Sequence, residues 1–320
     1  MILFWGRGAE LDFERKVSGY MRKLMAVFFV VIMMCNCMAV KATEAKEIPF
    51  KITQLEDDPA ADKPDYEVHI NRAQNFTVVY AQDAMGEFTV PVIKFTNSTG
   101  RNNWTPLGSY TIYEKYSDWK LMKGNVYTQG AVRFNHGVMS HSGYYYSMDK
   151  GSLAWKEFNK LGQQASSGCV RSAAIDSLWI YNNCKLGTPM IVYDDPNDPG
   201  PFGELHTVKI PEDSPYRGWD PTDPDPENPW REVRPILHLT SNGANGKVLT
   251  LPLGSSIEDV EARIGLFTSE GVPYTTEDYD LEIYGIYDLS TPGQYELYVR
   301  GFDLATTLRA DETFVLQVIP

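Results

Sequence analysis

Two stretches rich in proline and aspartate, DDPNDPGPFG (194–203) and GWDPTDPDPENPW (218–230), interrupt the chain. Proline fixes φ and lacks a backbone N–H, so such stretches neither continue a helix nor lie in a central strand. Their composition is typical of extended spacers. A chain of 320 residues is long enough for two domains. We therefore predict a linker at 196–230 between a domain at 46–195 and a smaller one at 231–320.

The first domain is predicted to be mainly β. The pattern at 66–96 is typical of strands: YEVHI alternates apolar and polar residues, FTVVYA and EFTVPVIKF follow it, and turn residues lie between them. TPLGSYTIYEKY (105–116) reads as a turn that enters a strand. Two short strands follow at 125–128 and 131–134. This spacing predicts an antiparallel β-sandwich or barrel.

The period changes in SAAIDSLWIYNN, where Ile175, Leu178 and Trp179 recur at helical spacing. Ser172 is the predicted N-cap of this short helix, since a serine side chain can accept from the first free N–H groups. PMIVYD (189–194) is predicted to be the last strand of the domain.

The second domain reads as β segments separated by turns, among them KVLTLPLG, GQYELYVRGFD and FVLQV, with SIEDVEARIGLF containing a short helix. About 90 residues of this pattern suit a small immunoglobulin-like β-sandwich. The pattern resembles the Ig-like modules that are appended to bacterial surface proteins.

The first 45 residues are predicted to be a leader with a signal peptide or membrane anchor. Arg22 and Lys23 precede the apolar run LMAVFFVVIMMCNCM (24–38), which is shorter than the roughly 20 residues of a membrane span. VKA (40–42) fits a signal-peptidase site. We expect an exported protein of the cell wall, with an uncleaved anchor as the alternative and the membrane involved only through this segment.

Charge and cysteine content restrict the partners that the chain binds and the class of protein to which it belongs. The formal net charge of −13 disfavours nucleic acid and anionic lipid as general partners. Only Cys169 and Cys184 lie outside the predicted leader, so the chain is not a disulfide scaffold. The sequence is compatible with one Cys169–Cys184 disulfide.

Cys169 is a candidate nucleophile. It follows Gly168, which permits a sharp turn, and lies just before the predicted helix, whose free N–H groups and partial positive charge favour a thiolate. Arg171 adds a cation. By local sequence alone, a buried structural cysteine fits equally well. His136 and His141, at a strand end in NHGVMSHSGYYY, are the candidate bases.

These motifs resemble the L,D-transpeptidases of the YkuD family. That family has a histidine on a strand, then a Ser/Thr-His-Gly-Cys-aliphatic-Arg/Asn motif, and a Thr-Pro-x-Gly signature upstream. This chain has TPLG (105–108), VMSHS (138–142) and SSGCVR (166–171) in that order. The resemblance covers roughly Tyr66–Asp195 and implies a YkuD-type β catalytic domain with a short helix after the cysteine.

The resemblance implies a role for each matching residue. Cys169 would be the nucleophile and His141 the general base, with His136 as the competing base because its His-Gly pair also matches. Ser142 would orient the imidazole through its carbonyl or its hydroxyl. The remaining implied contacts are the N–H groups of Gly168 and Cys169 as oxyanion donors and Arg171 on a substrate carboxylate or the local loop.

Two departures from the family pattern matter. Ser167 stands where the family keeps a histidine, which puts oxyanion or substrate contacts in doubt. The segment YYYSMDKGSLAWKEFNK (144–160) lengthens the spacer before Cys169. It is interpreted either as a lid or as a surface loop packed by its own aromatics. The aromatic residues that would line the cleft under a lid are Tyr144, Tyr145, Tyr146 and Trp155.

The implied reaction is acyl transfer between peptidoglycan stem peptides, as donor and acceptor, without a metal or organic cofactor. Cys169 would attack the third-residue carbonyl of a tetrapeptide, D-alanine would leave, and a second stem's amine would form a 3→3 cross-link. Water would instead give an L,D-carboxypeptidase, and carbapenems should acylate the same thiol. The alternatives are a sortase-like enzyme, a catalytically impaired wall-binding protein and a structural protein with a Cys169–Cys184 bridge.

Overall fold

The computed structural model describes residues 52–54, 65–240 and 246–320, with only the backbone strand given for 52–54. These segments all lie in one unit, Phe50–Pro320. The predicted leader and signal segment at 1–45 lies outside the described residues. Within the described ranges, no helix has both the length and the apolar character needed to cross a membrane.

Ten strands of the N-terminal part form one mixed sheet in the order β1-β6-β9-β10-β11-β4-β3-β2-β12-β5, and β7 and β8 form a separate hairpin. The strand bounds are β1 Ile52–Gln54, β2 Tyr66–Asn71, β3 Phe76–Gln82, β4 Phe88–Ser98, β5 Gly108–Thr111, β6 Glu114–Tyr116, β7 Lys120–Met122, β8 Val126–Thr128, β9 Ala131–Asn135, β10 Val138–Ser142, β11 Val170–Ser172 and β12 Pro189–Tyr193.

The sheet bends at its longest strand, β4, which pairs with β11 on one side and with β3 on the other. Its two halves share one core, because Val68 and Val79 pack in the same cluster as Val132 and Val170. The predicted mainly β class is confirmed. The prediction of purely antiparallel strands is wrong, since β10–β11 and β12–β2 are parallel pairs. Parallel pairing needs a long crossover, which local alternation does not reveal.

Three short α-helices are present in the described part of the chain: α1 (Trp155–Phe158), α2 (Ala174–Asn183) and α3 (Ile257–Glu261). Helix α2 is the predicted helix, but its N-cap residue is Ala173 rather than Ser172. Ser172 ends β11, and its hydroxyl contacts the hydroxyl of Ser177 at 2.8 Å. Short 3₁₀ turns occur at Arg101–Asn103, Lys150–Ser152 and Pro229–Glu232.

The C-terminal part contains two small sheets that share one apolar core, which is the arrangement of a β-sandwich. One sheet pairs β13 with β15, and the other has the order β14-β18-β17-β16. Its membership of the immunoglobulin-like class stays a prediction. The strands are β13 Ile236–Leu239, β14 Val248–Pro252, β15 Ile264–Phe267, β16 Tyr279–Tyr284, β17 Gly293–Asp303 and β18 Arg309–Ile319.

The segment 196–230 is packed against both neighbouring parts of the chain. Val208, Ile210 and Trp230 are buried in a cluster with Phe158 and Phe302. Asp220 and Asp223 are also fully buried. The prediction that this segment is an extended spacer is therefore wrong. The buried aspartates accept hydrogen bonds from donors inside the protein, and the segment packs as part of the fold. The boundaries at 195 and 230 stay predictions.

Candidate active site

The predicted nucleophile and base lie on adjacent parallel strands. In the β10–β11 pair, His141 is opposite Arg171 and Ser140 is opposite Val170. Residues paired across a sheet point to the same face, and so do residues two apart on one strand. Cys169 directly precedes β11. The register therefore brings Cys169, His141 and Arg171 to one face of the sheet.

The Cys169 thiol is partly buried beside Met139 and Tyr116. Its sulfur lies 3.8 Å from the Gly137 carbonyl oxygen and accepts a hydrogen bond from the Met139 N–H. The β9–β10 ladder shifts register at Val138/Met139, and such a bulge frees backbone groups near a site. Burial raises the pKa of Cys169, while the Met139 N–H and the charges of Arg171 and Arg133 partly oppose this rise.

No disulfide joins the two described cysteines, since Cys169 and Cys184 are both free thiols. Cys184 is fully buried in the main core at the end of α2. Burial raises its pKa to about 12. Cys184 is thus the inert structural cysteine, whereas Cys169 is partly accessible.

His141 is buried on β10, with its Nδ1 2.6 Å from the carbonyl oxygen of Ser142. A carbonyl oxygen only accepts, so Nδ1 carries the proton and Nε2 is the unprotonated base nitrogen. Burial lowers the pKa of His141 to about 4. The imidazole is therefore neutral at neutral pH. Among the hydrogen bonds of the described residues, none joins it to the Cys169 sulfur, a common situation without substrate.

Ser142 orients the imidazole through its carbonyl, one of the two predicted routes. Its hydroxyl is engaged elsewhere, because it accepts from the Gln129 N–H at 2.9 Å and donates to the Gly143 carbonyl at 2.7 Å. The competing base, His136, lies in the exposed β9–β10 turn with a φ of 40°. Of the two histidines, only His141 has a second group that fixes its tautomer.

Two hydroxyl groups clamp the turn that carries Cys169. The Ser166 hydroxyl accepts from the Gly168 N–H at 3.0 Å and donates to the Cys169 carbonyl at 2.5 Å. The Thr105 hydroxyl donates to the Gly168 carbonyl at 2.8 Å and accepts from the Gly100 N–H at 2.7 Å. Gly168 has a φ of 123°, which other residues rarely adopt.

This clamp changes the predicted oxyanion site. The Gly168 N–H is already bonded to Ser166, so this geometry leaves the Cys169 N–H as the candidate donor. Sequence reasoning assigned no role to Ser166 or to Thr105. The TPLG motif includes Thr105, but the motif alone does not show which groups the Thr105 hydroxyl contacts.

The N-terminus of α2 does not face Cys169, contrary to the prediction. The strand β11 separates the two, and the Ala174 N–H donates to Asp220 Oδ2 at 2.8 Å. The next N–H, of Ile175, contacts the Thr222 hydroxyl at 3.4 Å. The helix end is thus satisfied by the segment 196–230, and the positive charge near the thiol comes from arginine side chains.

Arg171 is 5% exposed and lies between the sheet and the 144–160 segment. Its Nη1 is 3.6 Å from Glu157 Oε2, and its guanidinium carbon lies 5.7 Å from the centre of the Tyr144 ring. Among the contacts of the described residues, its buried Nε has no hydrogen-bond partner. Ser167 is exposed. The Arg171 guanidinium is therefore held against the 144–160 segment, with its Nε enclosed by protein.

The segment 144–160 is partly core and partly surface, so neither predicted interpretation covers all of it. Tyr145 is fully buried and forms bridges with Tyr127 and Leu153. Tyr144 lies against Arg171, whereas Tyr146 is exposed. Only part of the predicted aromatic set can therefore border the cleft. In the described ranges, no three His, Cys, Asp or Glu side chains form a group that could hold a metal ion.

The N-terminal part of the chain matches a protein-family model. Residues 65–192 match the family model of YkuD, the L,D-transpeptidase catalytic domain. This segment is therefore similar to the L,D-transpeptidase catalytic domain of the YkuD type, which is the resemblance that its motifs indicate. The match contains β2 to β11, and with them Cys169 and His141.

A curated relative shows the same similarity. The putative L,D-transpeptidase YciB of Bacillus subtilis (strain 168) is 31% identical over 98 residues, which is 29% of this chain and 48% of the relative. The chain thus spans about half the length of this relative.

Solved structures with partial similarity include LdtMt1 in complex with imipenem, with 17% identity and a TM-score of 0.33. An L,D-transpeptidase from Mycobacterium smegmatis has 19% identity and a TM-score of 0.32. Both of these similarities cover 41% of this chain and 59% of the solved chain. One from Mycobacterium tuberculosis H37Rv has 26% identity and a TM-score of 0.31, over 41% and 58%. Because these TM-scores are low, the similarity to L,D-transpeptidases rests on the family model and the curated relative.

Proposed function

We propose that this protein is a peptidoglycan L,D-transpeptidase that forms 3→3 cross-links between stem peptides through an acyl-enzyme on Cys169. The observation that carries the proposal is the β10–β11 pairing, which holds His141 and Arg171 in register beside Cys169 within the matched catalytic domain. The fixed tautomer of His141 supports its role as the base.

The first half-reaction forms the acyl-enzyme. As the Cys169 sulfur attacks the carbonyl carbon of the third stem residue, His141 Nε2 takes the thiol proton. The Cys169 N–H donates to the developing oxyanion. The C–N bond to the terminal D-alanine then breaks, and the imidazolium returns the proton to the leaving amine. A thioester and free D-alanine result.

The second half-reaction resolves the thioester. The side-chain amine of a second stem attacks the thioester carbonyl, and His141 accepts a proton from the amine. The C–S bond then breaks as the new amide forms, and the imidazolium returns the proton to the Cys169 sulfur. An imidazole pKa of about 4 makes the imidazolium a strong acid, which suits protonation of a poor leaving amine. Arg171, which is 5% exposed and lies 3.6 Å from Glu157, is proposed to hold the loop at 144–160 beside the site.

The decisive experiment uses the purified full-length protein and a disaccharide-tetrapeptide substrate, with products separated and weighed by mass spectrometry. The expected product is a dimer that has lost one D-alanine and is linked 3→3. Cys169→Ala should yield none, whereas Cys184→Ala, which removes the buried thiol, should retain activity. A tripeptide without dimer would identify an L,D-carboxypeptidase, and no product at all would contradict the proposal.

We also propose that the protein acts outside the cytoplasm, because 1–45 reads as a signal peptide or anchor and its proposed substrate is in the wall. Fusion of residues 1–45 to a reporter that is active only after export tests this. An inactive reporter of normal abundance would contradict it.

A further inference from the structure

Trp104 is unusual among the tryptophans of this protein because its side chain is 53% exposed. The other tryptophans in the described ranges are partly or fully buried: Trp119, Trp155, Trp179, Trp219 and Trp230. A large aromatic side chain usually gains free energy by burial, so an exposed one beside a candidate active site marks a binding surface. Leu107, three residues on, is 50% exposed.

The backbone that presents Trp104 is rigidly held. The Arg72 guanidinium donates to the carbonyls of Asn103 and Thr105, at 2.9 and 2.7 Å, and is itself paired with Asp194. Asn102 and Asn103 have φ values of 51° and 59°, a left-handed conformation that costs free energy outside glycine. These contacts thus hold the backbone from which the exposed indole projects.

This backbone directly borders the turn that carries Cys169. A Cβ added to Gly168 would lie 3.3 Å from the Trp104 carbonyl oxygen. The Thr105 hydroxyl is bonded to the Gly168 carbonyl. The Arg101 guanidinium lies 5.7 Å from the Trp104 ring centre, so the exposed indole lies beside a cation in a chain of net charge −13.

We propose that Trp104, with Leu107, is a specificity-determining surface that binds the sugar ring to which the donor stem peptide is attached. The proposal rests on the proposed function. Three stem residues separate that sugar from the attacked carbonyl, a reach of at most about 11 Å when extended. The C–H face of a pyranose packs on an indole face without a charge, which suits a neutral glycan.

Binding and turnover are compared for two donors, the disaccharide-tetrapeptide and the same tetrapeptide without sugar. In a Cys169→Ala background, calorimetry should give tighter binding of the disaccharide form. Trp104→Ala should weaken that binding by about fivefold and leave the free tetrapeptide unchanged. With Cys169 present, Trp104→Ala should raise KM for the disaccharide donor by a similar factor at constant kcat.

Three comparisons separate a binding role from a structural one. Trp104→Phe should retain most of the preference for the disaccharide, and Met85→Ala, at an exposed residue of the β3–β4 turn, should change nothing. Acylation of Cys169 by meropenem, which carries no sugar, should be unaffected by Trp104→Ala. Equal loss for both donors, or no loss for either, would overturn the proposal. Selective binding without turnover of either donor would instead contradict the proposed function alone.

Discussion

Asp176 on α2 and Arg309 on β18 form a fully buried ion pair, with Oδ1 and Nη2 2.8 Å apart. Arg300 Nη2 lies at the same distance from the same carboxylate oxygen. Asp311 completes the cluster through both arginines. Helix α2, which follows β11, is therefore tied to the C-terminal sheet by buried charges.

Replacing Asp176 with alanine should destabilise the whole described unit. Two buried guanidinium groups would lose a partner, and breaking a buried ion pair by removing one member costs about 3–5 kcal/mol. The free energy of unfolding, from urea denaturation, should fall by that amount. The control is Glu312→Ala, which breaks the half-exposed pair with Lys247 and should cost about 1 kcal/mol or less. Similar costs for both variants would contradict the interpretation.

Asp220 should make stability depend on pH between about 4 and about 6. Burial raises its pKa to about 6, from 3.8 in an exposed chain. In this window the native state holds a proton that the unfolded state has released, so the contribution of Asp220 to the unfolding free energy decreases as pH rises. Asp220→Asn keeps a capping oxygen but cannot titrate.

From pH 4 to pH 7, the unfolding free energy of the wild-type protein should therefore decrease by up to about 3 kcal/mol relative to that of Asp220→Asn. Denaturation curves at a series of pH values measure it. Other carboxylates titrate equally in both proteins, so the difference isolates this residue. Parallel stability curves would contradict a raised pKa.

Before substrate binds, the Cys169 thiol and the His141 imidazole should both be uncharged. The pKa of the thiol is raised above its ordinary 9.0, and that of the imidazole is lowered to about 4. Alkylation by iodoacetamide, which needs the thiolate, should be slow at pH 7 and still increase above pH 9. Acylation by meropenem, assisted by His141, should be nearly constant from pH 5 to 8 and decrease near pH 4.

His141→Gln should slow meropenem acylation at least about a hundredfold and leave the alkylation profile largely unchanged. His136→Gln serves as the matched control and should affect neither rate. An alkylation plateau at neutral pH would reveal a preformed thiolate–imidazolium pair and contradict this account of the site.

Thr105→Val should loosen the turn that carries Cys169. The two side chains have similar shapes, but valine leaves the Gly100 N–H and the Gly168 carbonyl without their buried partner. Such a loss costs about 1–3 kcal/mol. We expect that decrease in unfolding free energy together with slower meropenem acylation. Thr105→Ser keeps the hydroxyl and should restore the acylation rate, and a serine variant as slow as valine would exclude the hydroxyl as the cause.

The sequence predicts the longer strands well, because alternation and turn residues are local. The segments at 66–96 become β2, β3 and β4, and PMIVYD becomes β12. It misses β11, whose three residues carry no alternation. That strand exists because β10 and β4 lie on either side of it, and both are distant in sequence.

Of the candidate site, the sequence predicts the residues but not all their contacts. Cys169, His141 and Arg171 are found from motifs. The engagement of the Gly168 N–H by Ser166 and the capping of α2 by Asp220 depend on three-dimensional packing. Composition also misjudges 196–230, because whether an aspartate is solvated or buried depends on donors that lie elsewhere in the chain.

The central claim, that Cys169 forms an acyl-enzyme, is tested most directly by intact-protein mass spectrometry after incubation with meropenem, followed by peptide mapping. We predict one adduct per chain, located on Cys169, retained in Cys184→Ala and lost in Cys169→Ala. An unmodified wild-type protein, or an adduct that persists in Cys169→Ala, would contradict the claim.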